Sequence, residues 1–109
     1  MAITQSQSIQ PASVVNVAAG RYIDTGTAAA FSLTTGFRPR YVKVINNTSG
    51  DQIEWFEGMT AAYGFKRVAA GTGSQVTSNG ITVSATGFTI GLDTDINVTN
   101  EQLSWIAIG

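Results

Sequence analysis

From Val14 to the C-terminus, short apolar runs rich in β-branched and aromatic residues are interrupted by Gly, Asn and Ser. The breaks recur at intervals of about 8–12 residues, the spacing of a sandwich or barrel. In Arg40-Tyr41-Val42-Lys43-Val44-Ile45-Asn46 the pattern alternates. Val42 and Val44 share one face, expected to point inward, and Tyr41, Lys43 and Ile45 share the other. In Gln52-Ile53-Glu54-Trp55-Phe56-Glu57, Ile53 and Trp55 fall opposite Glu54. Between the two runs, Asn47-Thr48-Ser49-Gly50-Asp51 supplies turn formers, which predicts an antiparallel hairpin.

The same reading predicts strands at Val14–Ala18, Arg21–Asp24, Ala29–Leu33, Tyr41–Asn46, Gln52–Phe56, Phe65–Ala69, Ile81–Ser84, Gly87–Ile90 and Leu103–Ile108. Pro39 fixes its own φ and holds Arg38 extended at the start of one of them. Gly71-Thr72-Gly73-Ser74 reads as a flexible loop, and Thr60–Phe65, which lacks alternation, is the one segment that suits a helical turn. No long amphipathic helix is predicted. The expected fold is all-β, an antiparallel sandwich or barrel-like domain over residues 14–109. Ahead of it, residues 1–13 carry only Ile3 and Ile9 as isolated large aliphatics among Gln, Ser and Ala. That is too little apolar surface to offset the entropy of ordering, so this stretch is expected to be an extended arm, either frayed or laid on a neighbouring subunit.

At 109 residues, without cysteine, the chain fits one domain whose core needs no disulfide. Charged residues make up 12% of it, about half the usual share, and the net charge is −1. Polarity therefore comes mainly from Thr, Ser, Asn and Gln. Such surfaces suit β-strands and also lose little on desolvation, which favours association. Six basic residues against seven acidic ones cannot make the dense positive field that a phosphate backbone requires, so no nucleic-acid partner is expected. Met1–Pro11 lacks the charged and apolar regions of a secretory signal, and no apolar run reaches membrane-spanning length. The chain is expected to stay in the cytoplasm where it is made, off any membrane. The sequons at Asn46, Asn47 and Asn97 then carry no weight.

Candidate chemistry is sparse. Without His or Cys there is no histidine-based triad, thiol nucleophile or thiolate metal site. Glu54 and Glu57 are the only close pair of glutamates, and on one strand they point to opposite faces. Asp93-Thr94-Asp95-Ile96-Asn97 has the spacing that opens a calcium loop. Val98 stands where that loop needs Gly, however, and Ser104 where it needs Glu, so an Asx-rich turn is the expected reading. Gly71-Thr72-Gly73 lacks the Gly-Lys-Ser/Thr of a phosphate loop. No enzyme activity and no cofactor are expected. Arg38, Arg40, Lys43, Lys66 and Arg67 are interleaved with Phe37, Tyr41 and Phe65, a pattern of ordinary half-exposed strands. The guanidinium forks of Arg38 and Arg40 also suit carboxylates of a neighbouring subunit. Trp55 and Trp105 are expected as core or interface anchors.

Thr35-Gly36-Phe37-Arg38-Pro39-Arg40-Tyr41-Val42-Lys43-Val44-Ile45-Asn46, Gly87-Phe88-Thr89-Ile90-Gly91, Asn97 and Ser104-Trp105-Ile106-Ala107-Ile108-Gly109 follow one another in order. Together they resemble small phage virion structural proteins, the head decoration or cement proteins and related tail-associated β modules. In that group a G-F-x-P-x-x-V strand leads, G-F-T-I-G follows, and an Asn then a W-x-A close the domain. The resemblance covers about two-thirds of the chain and carries no catalytic signature. It implies an antiparallel β domain on a virus particle. Little flanks the domain besides the arm, which leaves no trimeric shaft and makes a head decoration protein the expectation. Such a protein would bind the major capsid protein as a trimer or dimer on the capsid surface. Ile3, Ile9, Arg38, Arg40, Tyr41 and Trp55 are the residues expected to meet partners. The alternative is a tail-tip or tail-fibre module binding host-surface carbohydrate through exposed aromatics.

Overall fold

The computed structural model describes residues 16–109. Ile3, Ile9 and the whole of the expected arm, residues 1–13, lie outside that range. The described residues form eight antiparallel strands and no helix. The strands are β1 (Val17–Ile23), β2 (Phe31–Thr34), β3 (Tyr41–Asn46), β4 (Gln52–Phe56), β5 (Tyr63–Arg67), β6 (Gly73–Val83), β7 (Gly87–Ile90) and β8 (Gln102–Ile108). They make one sheet in the order β1-β8-β3-β4-β5-β6-β7-β2, curled into a half-barrel.

The hairpin β3-β4 forms as the alternation predicts, with Val42 opposite Trp55 and Val44 opposite Ile53. Its turn closes on Gly50, whose φ of 84° lies in the left-handed region that glycine tolerates. Val42, Val44, Ile53 and Trp55 point into the concave side and are buried with Leu103 and Ala107 of β8. Ile81, Phe88 and Ile90, from β6 and β7, complete the core together with Ile96 of the β7–β8 connection. Each buried aliphatic or aromatic side chain here contributes roughly 1.5–3 kcal/mol relative to exposure.

Four predicted segments take a different form. Val14–Ala18 and Arg21–Asp24, read as two strands, belong within the described range to the single strand β1. Gly20 between them is not a break but a seat for Trp105: a Cβ there would stand 2.9 Å from the indole. Thr60–Phe65 is not helical. Ala62 takes a φ of 67°, and β5 begins at Tyr63. The loop expected at Gly71–Ser74 ends early, since β6 starts at Gly73 and runs for 11 residues.

That long strand turns the corner of the curl. Its first part pairs with β5 up to Val76 opposite Gly64, but the next β5 residue, Tyr63, faces Ile81. The intervening residues bulge, Asn79 adopts a φ of 59°, and the strand continues from Ile81 against β7. Bulges of this kind bend a strand and add twist. Gly80 and Gly91 lie where backbone meets backbone, so any side chain there would collide with Tyr63 and Ala62, or with Asn79.

Curling brings the two edge strands towards each other. Tyr22 of β1 and Phe31 of β2 stack with ring centroids 4.5 Å apart and planes 10° from parallel. Below this seam the β7–β8 connection caps one end of the half-barrel, held by two buried asparagines. Asn46, with no exposed surface, donates to the Ile96 carbonyl (3.1 Å) and to Glu101 Oε1 (2.7 Å). Its Oδ1 accepts from the Thr48 and Ser49 amides at 2.9 and 3.0 Å. Asn97 donates to the carbonyls of Ala29 (2.8 Å) and Gly91 (3.2 Å) and accepts from the Tyr22 hydroxyl. One side chain thus ties the hairpin turn to the cap, and the other ties the cap to the connection between β1 and β2.

Replacing Asn46 with Ala removes four hydrogen bonds and strands buried partners, so Asn46→Ala is expected to lose about 2–4 kcal/mol. Urea unfolding of the variant against wild type measures the loss.

Candidate functional site

The strand register sorts the convex side of the sheet into rows. Val17, Ile108, Tyr41 and Phe56 line up across β1, β8, β3 and β4. The next row is Ala19, Ile106, Lys43, Glu54 and Phe65, reaching β5. The third is Arg21, Ser104, Ile45, Gln52 and Arg67. Alternate residues of these strands face the core, so every member of the rows stands on the outer face.

Several large apolar side chains of this face are turned to solvent. Val17 is 51% exposed, Phe56 47%, Ile108 39% and Phe65 38%. A shallow hollow between β3 and β8 is lined by Lys43, Ile45, Ser104, Trp105 and Ile106. Tyr41 packs its ring beside Phe56, centroids 5.1 Å apart, and donates its hydroxyl to Glu54 Oε2 at 2.5 Å. Burial, then the hydrogen bond to Glu54 and that residue's charge, push the Tyr41 phenol up to about 12. Apolar side chains gathered on one exposed face are the feature by which interaction surfaces are recognised.

The residues expected to meet partners are dispersed. Tyr41 stands in the outer apolar row. Arg38 is exposed in the β2–β3 connection, while Arg40, half-buried, donates its backbone amide to the Ile108 carbonyl (2.7 Å). Trp55 takes the core alternative at 3% exposure, its indole directed at the Thr60 carbonyl (3.4 Å), so it offers no surface to a partner. Trp105 also points inward, edge-on to Phe88. Sequence reasoning passed over Val17, Phe56, Phe65, Ile106 and Ile108. A signal was present: in Leu103–Ile108 both parities are largely apolar, which describes a strand with apolar surface on both sides.

The Asp93-Asp95 motif is an Asx turn. Asp93 Oδ1 accepts from the amides of Asp95 (2.9 Å) and Ile96 (3.3 Å). The Lys66 ammonium sits between the carboxylates, 3.1 Å from Asp93 Oδ2 and 2.7 Å from Asp95 Oδ2. A side chain of β5 thereby occupies the place the motif suggested for a cation and fastens the cap to the sheet. Asn97, the third residue of the spacing, turns away to Ala29 and Gly91. Glu54 and Glu57 do not converge: Glu54 lies on the outer face with Tyr41, and Glu57 is exposed beyond the end of β4. Among the described residues no group of three His, Cys, Asp or Glu side chains is arranged to hold a metal.

No family model, curated protein or solved structure matched the chain in comparison.

Two titrations check this description. Burial alone would lower the Lys66 pKa, but its hydrogen bonds to Asp95 and Asp93, with their charges, outweigh that and hold it above 10.5. A raised lysine pKa gives stability that is complete below the unfolded value and lost as pH rises through the folded one. The stability advantage of wild type over Lys66→Gln should therefore stay constant from neutral pH up to about pH 10 and shrink above it. Denaturant unfolding across alkaline pH checks this. For Tyr41, Tyr41→Phe should remove one phenol from the spectrophotometric step near pH 12, leaving the rest of the tyrosine titration unchanged.

Proposed function

We propose that the protein is a structural component of a phage particle, a capsid decoration protein that binds and stabilises the assembled head. The observation that carries this reading is the apolar row Val17-Ile108-Tyr41-Phe56 on the outer face of the sheet. Leaving such a row in water is unfavourable, and covering it with another protein recovers that free energy. The sequence resemblance to virion proteins supplies the kind of partner, the major capsid protein. Val17 stands at the corner of the row, immediately after the residues leading out of the arm. Met1–Ser13, with Ile3 and Ile9, would extend the contact from there, and exposed Arg38 would reach carboxylates of a neighbouring subunit.

In this role the protein needs no reaction, cofactor, nucleic acid or membrane. Binding only the assembled lattice stabilises that lattice by mass action. Copies placed around a local symmetry axis would form a trimer or dimer on the capsid surface, after synthesis in the host cytoplasm.

Purified protein mixed with expanded heads lacking it should bind saturably and raise their disruption temperature. Phe56→Ser and Ile108→Ser, which leave the core intact, should each weaken binding roughly tenfold or more. Absence of saturable binding at roughly micromolar concentration sinks the reading, and binding to host glycans instead of heads would move the protein to the tail.

A further inference from the structure

The overall charge of −1 conceals an uneven distribution. Arg21, Lys43 and Arg67 all stand on the outer face, and none is ion-paired, since the ion pairs among the described residues are those of Lys66 with Asp93 and Asp95. The face carries one carboxylate, Glu54, whose Oε2 already accepts the Tyr41 hydroxyl. Asp24, Asp51, Asp93, Asp95 and Glu101 lie in the turns and the cap at one end of the half-barrel. The apolar face is therefore cationic while most acidic groups lie off it.

Resting on the reading that this face docks on protein, we infer that its partner presents an apolar ridge carrying carboxylates, one of which meets Lys43. Lys43 decides the matter because of its position. β3 is the middle strand of β1-β8-β3-β4-β5, and Lys43 lies in the middle row between Ile106 and Glu54. Arg21 and Arg67, at the two sides, can reach water past the rim of a docked partner. Lys43 is enclosed when the apolar rows around it are covered. Glu54 stands directly across from Lys43 but already accepts the Tyr41 hydroxyl, and three cations face that one carboxylate, so enclosing Lys43 calls for a further carboxylate from the partner. A second copy presenting the same face would repeat three cations against one carboxylate and leave the surplus positive charge uncompensated. A nucleic-acid strand would meet three dispersed cations among Ile45, Ile106, Ile108 and Val17, far fewer than its phosphate spacing demands.

Binding of Lys43→Met, Lys43→Glu and Arg21→Ser/Arg67→Ser to the decoration-free heads tests this, with thermal melts confirming that each variant is folded. Lys43→Met should bind roughly tenfold more weakly and Lys43→Glu not measurably, whereas the arginine variant should lose association rate and salt dependence. In the wild-type complex, carbodiimide should join Lys43 Nζ to a partner carboxylate as an amide with loss of water, seen by mass spectrometry. Full binding by both Lys43 variants, while Phe56→Ser fails, would overturn the inference and leave the head-binding reading standing. If wild type does not bind heads, that reading falls, and two immobilised peptides judge the surface alone. One alternates Glu with Leu and Phe, and its twin carries Lys for Glu. Preference for the acidic peptide, lost in Lys43→Glu, upholds the inference. Equal capture of both peptides, retention of oligothymidylate by the face, or dimerisation abolished by Phe56→Ser overturns it.

Discussion

The inward face of the sheet carries the apolar side chains of β3, β4, β6, β7 and β8, and no helix or second sheet is present among the described residues to cover it. The sheet must cover that face with itself. Curling does so, setting Phe88, Ile90 and Ile81 of β7 and β6 over Val42, Val44 and Leu103 of β3 and β8. The curl needs a corner, provided by the bulge in β6, and a closed end, provided by the β7–β8 connection. Asn46 stabilises that closure, because a fully buried amide needs its hydrogen bonds satisfied and this arrangement of turn and cap satisfies them. Lys66 fastens the same connection from the β5 side, and Tyr22 with Phe31 closes the seam between edges that share no backbone pairing.

Turning one face inward fixes what the other shows. Strand alternation sends Tyr41, Lys43 and Ile45 outward as the counterpart of burying Val42 and Val44, and sends Ile106 and Ile108 outward as the counterpart of Leu103, Trp105 and Ala107. The outer rows are therefore held by the same register that builds the core. The outer face is thus a preformed convex surface, and ordering it costs no further conformational freedom. Three cations and one carboxylate stand on the outer face, while Asp24, Asp51, Asp93, Asp95 and Glu101 lie in the turns and the cap.

Legibility varied with how local the controlling physics is. β3, β4 and β7 match their predicted ranges residue for residue, because alternation and turn chemistry act within each hairpin. Gly20 misled because glycine in a run reads as a break, whereas here it makes room for the Trp105 indole from a strand 85 positions later. Thr60–Phe65 shows no alternation because it passes through the left-handed Ala62 before entering β5. The start of β6 reads as a loop, since its Gly, Ser and Gln side chains face solvent and only backbone pairing with β5 holds them extended.

The sequence by itself determined the class of fold, the inward parity of β3 and β4, the thinness of catalytic chemistry and the Asx turn at Asp93. These follow from local period, residue type and short-range hydrogen bonding. Tertiary structure decided that Trp55 belongs to the core, that Lys66 fills the space between Asp93 and Asp95, and that apolar residues of β1, β8, β3 and β4 meet in one outer row. Each of these depends on the order of strands in the sheet, and strand order is set by closure of the whole curled surface rather than by any segment of it.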